Sequence, residues 1–422
     1  MKRIIFSLAF ILAFASAGFA KQFVEKKFFS QSLNQEKTYF VSYPTGYSET
    51  DTTKKYPVIV FLHGASTNAT DIATMFESYS FLFKLGCPNL FNTIFVIADG
   101  SAAPYLGSFY TNSALYGNFE DYIVNDLYSE IKTNYHTYSH RAKWAIIGHS
   151  MGGYGSMKIA LKHPEKFIGI SSLSGPLHTT YYNDLLPLVL AENGGAAPYN
   201  FTYQKGSLTN LMFSMAGAFS PNAGNEPPVN FPITSAGTID TQIVSVWNEN
   251  NPINLIKDLD GKNNLSFFIY CGGKDEYKLL PENEMFVDSL TKYGLTCTKK
   301  FDPEGDHVTS LATSFPLGIN FLYSVMDTSK IDSGVGIPEI AKAANDYLYP
   351  NPAFNQLFLQ SANWAEIENA TLISSQGSIV ENISKDQLTN GIDINNLHSG
   401  YYLLKVNYKD GFVSVKKFTK KN

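Results

Sequence analysis

The sequence predicts an α/β protein: a doubly wound, mostly parallel sheet followed by a small all-β sandwich. Three observations lead there. Short apolar runs bounded by Gly, Asp or Ser recur at 58–64 (VIVFLHG), 93–100 (TIFVIADG), 144–150 (WAIIGHS), 167–175 (FIGISSLSG) and 265–273 (LSFFIYCGG). Runs apolar on both faces suit parallel strands covered by helices on each side. Segments with helical signals alternate with them. Glu120–Tyr135 opens on acidic residues, Met151–His163 stops before Pro164, and Pro281–Tyr293 begins with a proline suited to a first turn. Beyond Met326 the alternation ends, and only short strand-like runs separated by turn residues remain.

The remaining elements follow in chain order. Residues 1–20 read as a signal peptide: Lys2 and Arg3, an apolar run from Ile4 to Phe14, then Ala15, Ala17, Gly18 and Ala20. The main α/β unit is expected over 21–326. It opens with two strands, around Phe23–Phe29 and Tyr39–Tyr43, whose alternation is imperfect. Between 176 and 257 the strand–helix pattern lapses and Gly, Asn and Pro become frequent, as in GNEPPVNFP, so this stretch reads as a lid-like insertion over the site. Residues 327–344 are polar and Gly-containing, a linker, and 345–422 form the sandwich, where Val413 and Val415 flank Ser414 with the period of a half-buried strand.

Composition narrows the function classes. The 422-residue chain is 44% hydrophobic and 16% charged, which describes a packed globular protein with a sizeable core. A net charge of −5 without a basic patch argues against nucleic acid as a partner. The 26 Tyr and 31 Phe are expected mainly in the core, with sugar-ring platforms as the alternative use. Cys87, Cys271 and Cys297 are too few and too odd in number for a disulfide framework, and read as buried thiols.

The chemistry centres on Gly148-His149-Ser150-Met151-Gly152, a G-x-S-x-G sequence that follows an apolar strand and opens a helix. That context is what a nucleophile elbow requires, because the serine must protrude from a sharp strand-to-helix turn. Ser150 is therefore the candidate nucleophile. His63-Gly64-Ala65 closes an earlier strand, which makes the Ala65 and Met151 amides candidate oxyanion donors and His63 a loop-orienting residue. The order Ser, acid, His leaves His163, His178, His307 and His398 as bases. His163 ends the helix leaving the elbow, His178 precedes any candidate acid strand, and His398 lies in the β tail. His307, in PEGDH after the expected last strand, is the candidate. Asp275, on the loop after LSFFIYCGG, is the candidate acid, with Glu276 as second choice. Asp306 adjoins His307 and should point away from it. Tyr110, Tyr116, Tyr154 and Trp247 are candidate sugar or aryl contacts. No H-E-x-x-H, Cys-x-x-Cys or Rossmann spacing is present, so neither metal nor cofactor is expected.

With these motifs in place, residues from about Tyr56 to Val325 resemble the esterase family of S-formylglutathione hydrolase (esterase D), feruloyl and acetylxylan esterases and antigen 85. The matching stretches are YPVIVFLHG, YGNFEDYIVNDLYSEI, AIIGHSMGGYGSMKIALKHPEKF, CGGKDE and PEGDH. The resemblance implies an α/β-hydrolase fold, a Ser150–His307–Asp275 triad and oxyanion donors Ala65 and Met151, without fixing the substrate. The tail resembles the type A sorting domain of type IX (Por) secretion: Tyr349-Pro350-Asn351-Pro352, then GIDINNLHSGYYLLKV and KKFTKK. Together these imply a secreted or surface-held carboxylesterase acting on acetyl or feruloyl esters of oligo- or polysaccharides, with the secretion machinery as partner. Two rivals are a peptidase of the prolyl oligopeptidase kind and a non-catalytic surface binding protein. The first normally carries a large propeller ahead of the hydrolase domain, and the second has no use for an intact Ser, Asp and His set.

Overall fold

The computed structural model describes residues 23–78, 86–87, 90, 92–181, 184–259, 265–326, 346–361, 364–374, 378–409 and 413–421; the expected signal peptide (1–20) and linker (327–344) lie outside them. Eight strands form the main sheet: β1 Val24–Ser30, β2 Gln35–Ser42, β3 Val58–Leu62, β4 Ile94–Ala98, β5 Trp144–His149, β6 Gly169–Leu173, β7 Ser266–Gly272 and β8 Cys297–Asp302. Their spatial order is β1-β2-β4-β3-β5-β6-β7-β8. β1 and β2 join antiparallel at one edge, and all other pairings are parallel.

The period of two in the strands divides the core between two faces. In-register neighbours Val41, Val96, Val60, Ile146, Ile170 and Phe267 make one apolar stripe across the sheet. One residue away along each strand, Phe40, Ile97, Phe61 and Ile147 make the stripe on the opposite face. Every residue of β3 and β4 is buried, which is why those runs carry no alternation in the sequence. Helix α1, Ala69–Ser78, and a C-terminal helix Leu311–Val325 cover the second face, where Phe76 and Phe315 enclose Phe61 with ring centroids 4.9–5.8 Å apart. The edge strand β8 exposes Lys299 and Lys300, charges that discourage pairing with another chain.

The first face is covered by a helix from Phe119 to Asn134, whose Tyr122–Leu127 stretch winds as a π-helix, and by Met151–Lys162. A buried ion cluster ties these two together. Glu120 contacts Lys158 at 2.9 Å, Lys162 at 2.7 Å and His163 at 3.1 Å. Burial alone would raise the Glu120 carboxyl, but Lys158, His163 and Lys162 outweigh it and hold the group well below the usual carboxylate range. Lys158 also donates to the Tyr110 carbonyl at 2.9 Å and the Thr111 hydroxyl at 2.7 Å, anchoring the loop that follows β4.

The stretch 176–257, where the pattern lapses in the sequence, carries helices at Leu186–Glu192, Ser207–Phe219 and Thr241–Trp247, joined by irregular segments. Ser207–Phe219 has no charged residue and buries nine of its thirteen residues. It shows little amphipathic pattern because it is enclosed on most sides. The three cysteines are unpaired. Cys271 stands beside Phe301 and Cys297 beside Phe267, so the two thiols sit at opposite ends of β7 and β8.

The C-terminal region is built from two small antiparallel sheets. One holds Tyr347–Tyr349, Gln356–Gln360 and Ile392–Asp393; the other holds Ile379–Ile383, Ile367–Ser374, Gly400–Tyr408 and Val413–Lys420. Leu357, Leu359 and Ile392 from the first share a core with Leu372, Leu404 and Phe418 from the second.

Two consequences can be measured. Phe315→Ala removes a ring packed on three others and should cost about 3–5 kcal/mol in denaturant unfolding. A loss under about 1 kcal/mol would show that the cluster does not carry that load. Glu120 binds protons less readily folded than unfolded, so its stabilisation is full above its ordinary value of 4.5 and drains away as pH falls below it. The unfolding free energy should therefore decline on acidification, and Glu120→Gln should flatten that decline; equal slopes in both proteins would dismiss the cluster as its source.

Candidate active site

Ser150 sits on the turn between β5 and the helix Met151–Lys162, with φ +56° and ψ −121°, a backbone state that few non-glycine residues adopt. The two flanking glycines make the turn feasible. A Cβ on Gly148 would lie 2.2 Å from the Gly152 carbonyl oxygen, and one on Gly152 would lie 1.9 Å from the Leu62 oxygen. The Ser150 amide donates to the Leu173 carbonyl at 2.8 Å, which fixes the turn against β6. Met151 is the first residue of the helix, so its N–H has no carbonyl to bond within the helix.

His307 and Asp275 arrive on the loops after β8 and β7. The Ser150 hydroxyl oxygen is 2.8 Å from His307 Nε2, and His307 Nδ1 is 2.7 Å from Asp275 Oδ2. His307 is 4% exposed and Asp275 1%, so the imidazole–carboxylate bond is shielded from water, while partly buried Ser150 faces the cavity. The other Asp275 oxygen accepts from the Tyr277 amide at 2.9 Å, and the Tyr277 ring lies 4.5 Å from the imidazole centroid. Glu276, the second choice as acid, is exposed and meets the main chain instead: the His307 amide donates to its Oε2 at 3.0 Å. Asp306 turns away and accepts from the Val308 and Thr309 amides.

Two histidines frame the site. His63 is fully buried, with Nδ1 donating to the Gly64 carbonyl at 2.8 Å and Nε2 accepting from the Gly100 amide at 2.9 Å. Thr67 bonds the same Gly64 carbonyl at 2.9 Å, and the Ser66 amide bonds the Leu106 carbonyl at 2.7 Å, so the segment carrying Ala65 is held at several points. Gly64 packs on the nucleophile, since a Cβ there would be 3.4 Å from Ser150 Cβ. His149 lies within the elbow sequence and is not among the candidate residues read from it. Its Nε2–H donates to the His307 carbonyl at 2.7 Å. Burial, with His307 alongside, pushes its imidazole down to about 4, so the ring is neutral at ordinary pH. A polar residue ending an apolar strand was the only sign of it in the sequence.

A cavity opens beside Ser150, Met151 and His307. Its apolar wall comes from Phe109, Leu185, Leu211, Met215 and Leu279, while the more polar Tyr181, Asp184 and Lys278 also line it. The expected aromatic contacts are not among the lining residues, and the structure corrects their role to packing. Tyr110 is buried with its hydroxyl on the His63 carbonyl, Tyr154 is buried against the Asn250 carbonyl, and Trp247 is buried with its indole N–H on Ser220. Tyr116, partly buried, donates to the Ser214 carbonyl. Seven lining residues (Pro176, Thr179, Tyr181, Asp184, Leu185, Leu211 and Met215) come from the stretch 176–257. No local motif marks them, because they meet the site only through tertiary packing.

Residues 30–293 match the family described as Putative esterase, and residues 347–421 match the Secretion system C-terminal sorting domain. Esterase Rv1288 of Mycobacterium tuberculosis (strain ATCC 25618 / H37Rv) is 31% identical over 127 residues, 29% of this chain. This chain spans only 26% of that relative's length. Among solved structures, a ferulic acid esterase is 18% identical with a TM-score of 0.50, covering 72% of this chain and 98% of its own. The S-formylglutathione hydrolase FrmB of Staphylococcus aureus is 20% identical with a TM-score of 0.49, covering 71% and 98%. The ferulic acid esterase likeness speaks to the fold alone. On the family match over most of the main sheet, with a serine, histidine and aspartate meeting at its edge, the chain belongs to the Putative esterase family, and residues 347–421 form a secretion system C-terminal sorting domain.

Proposed function

We propose that the chain is a secreted or surface-held serine carboxylesterase acting on acylated carbohydrates through a Ser150–His307–Asp275 triad. The observation that carries this reading is the continuous hydroxyl–imidazole–carboxylate chain, 2.8 Å and 2.7 Å long at its two links, beside an accessible cavity. Ser150 Oγ attacks the ester carbonyl while His307 Nε2 takes its proton, and Asp275 holds the Nδ1–H tautomer and stabilises the imidazolium. The Ala65 and Met151 amides receive the developing oxyanion. The tetrahedral intermediate collapses, the alcohol leaves with the proton from His307, and Ser150 retains the acyl group. Water, deprotonated by the same imidazole, then releases the carboxylic acid and restores the serine.

The cavity wall supports an acyl group with an apolar body, of feruloyl more than acetyl type, since burying that body against Phe109, Leu211 and Met215 is favourable. Asp184, Lys278 and Tyr181 offer hydrogen-bonding partners to a sugar alcohol. Export in this reading begins with the signal peptide at 1–20 and ends with passage across the outer membrane, the tail serving as the address. The lid-like role of 176–257 is part of the same proposal and rests on its share of the cavity wall.

Two measurements test it. Ser150→Ala should lower p-nitrophenyl acetate turnover by about 10³-fold or more, and retention of full activity would refute the nucleophile. On a panel of xylo-oligosaccharide esters, feruloyl substrates should exceed acetyl ones in kcat/KM by about tenfold or more. Acetyl esters ahead, or aminoacyl amides cleaved in preference to both, would overturn the substrate assignment.

A further inference from the structure

The main chain of His307 is held by side chains on both sides. His307 lies in a turn outside any helix or strand, so no secondary structure secures its peptide groups. Its carbonyl accepts from His149 Nε2–H at 2.7 Å, and its amide donates to Glu276 Oε2 at 3.0 Å. His149 is the last residue of β5, directly before the nucleophile, so one strand end fixes both the serine and the backbone of the histidine that serves it. The imidazole–imidazole centroid distance is 5.0 Å.

We propose that His149 is a positioning residue, holding the His307 peptide so that its imidazole keeps its aim at Ser150 throughout the cycle. The proposal rests on the esterase reading above. The need for such a clamp follows from the chemistry. During turnover the Ser150–His307 bond is broken and remade, and His307 Nε2 swings its partner from serine to leaving group to water. The Asp275 bond holds Nδ1 through these steps but by itself leaves the ring free to pivot about that link. A hydrogen bond to its carbonyl takes no part in proton transfer and persists. His149 suits this use because its neutral ring, fixed as the Nε2–H tautomer, places no charge beside the imidazolium formed in the transition state.

The test separates a donor from a space-filling side chain. His149→Leu, which fills the volume without donating, should lower kcat/KM for p-nitrophenyl esters and the rate of fluorophosphonate inactivation together, by about 10–100-fold, because a small misplacement of a catalytic group costs that much. KM should stay within about twofold, since no substrate contact is lost. His149→Gln, which can still donate, should recover activity to within about threefold of wild type. Glu276→Ala, at an exposed position where folding is not at stake, should lower kcat in the same direction with KM held. Full activity in His149→Leu, equal losses in the Leu and Gln variants, or an unaffected Glu276→Ala would each overturn the proposal. Ser150→Ala serves as the control: if it keeps its activity, the esterase reading fails, and if it is inactive while His149→Leu is not, only the positioning role fails.

Discussion

The backbone of Gly152 lies so close to the carbonyl of Leu62 that a single methyl group at that position could not be accommodated. That contact lets the helix after the elbow start directly over the end of β3. It leaves Ser150 in a left-handed conformation at the crest of the turn, with Gly64 against its side chain. The strain at one residue is offset by everything packed beneath it: β5 between β3 and β6, the Leu173 carbonyl on the serine amide, and a helix that buries eleven of its twelve residues. A serine on a relaxed turn would not stand clear of its own backbone, and neither His307 nor a substrate carbonyl could approach it along the same line.

A second tier of buried charge supports the loops around that turn. Lys37 reaches Asp99 at 2.6 Å while His63 holds the adjoining Gly100 amide, and Lys158 holds the Tyr110 carbonyl from below. Burial raises the Asp99 carboxyl, but the Lys37 ammonium overcomes this and keeps it well below its usual range. These groups lie under the loop that presents Phe109 to the cavity. Their value is geometric: a buried pair contributes little net stability but tolerates few alternative arrangements.

The parts of this design that could be read from the sequence share a physical cause. Central parallel strands are buried on both faces, so their apolar runs stood out and their limits fall within a residue or two of the strands observed. The spacing and order of Ser150, Asp275 and His307 follow from chain topology, and the structure brings all three together. The helices of 176–257 were hidden because their apolar faces are nearly continuous and their caps few, and Gly, Asn and Pro between them mimic loop. The aromatic residues Tyr110, Tyr154 and Trp247 misled for the converse reason: a large ring near a motif in sequence is as readily the floor beneath a site as its wall.

The separation of Cys271 and Cys297 at opposite ends of neighbouring strands has a bearing on how this protein endures outside the cell. With Cys87 enclosed in the core and Cys271 likewise, none of the thiols is bonded to another. Many exported enzymes rely on oxidative cross-links, and a shift toward reducing surroundings unfastens them. Among the described residues cohesion is non-covalent, so sulfide-rich or anoxic media would find no disulfide there to cleave.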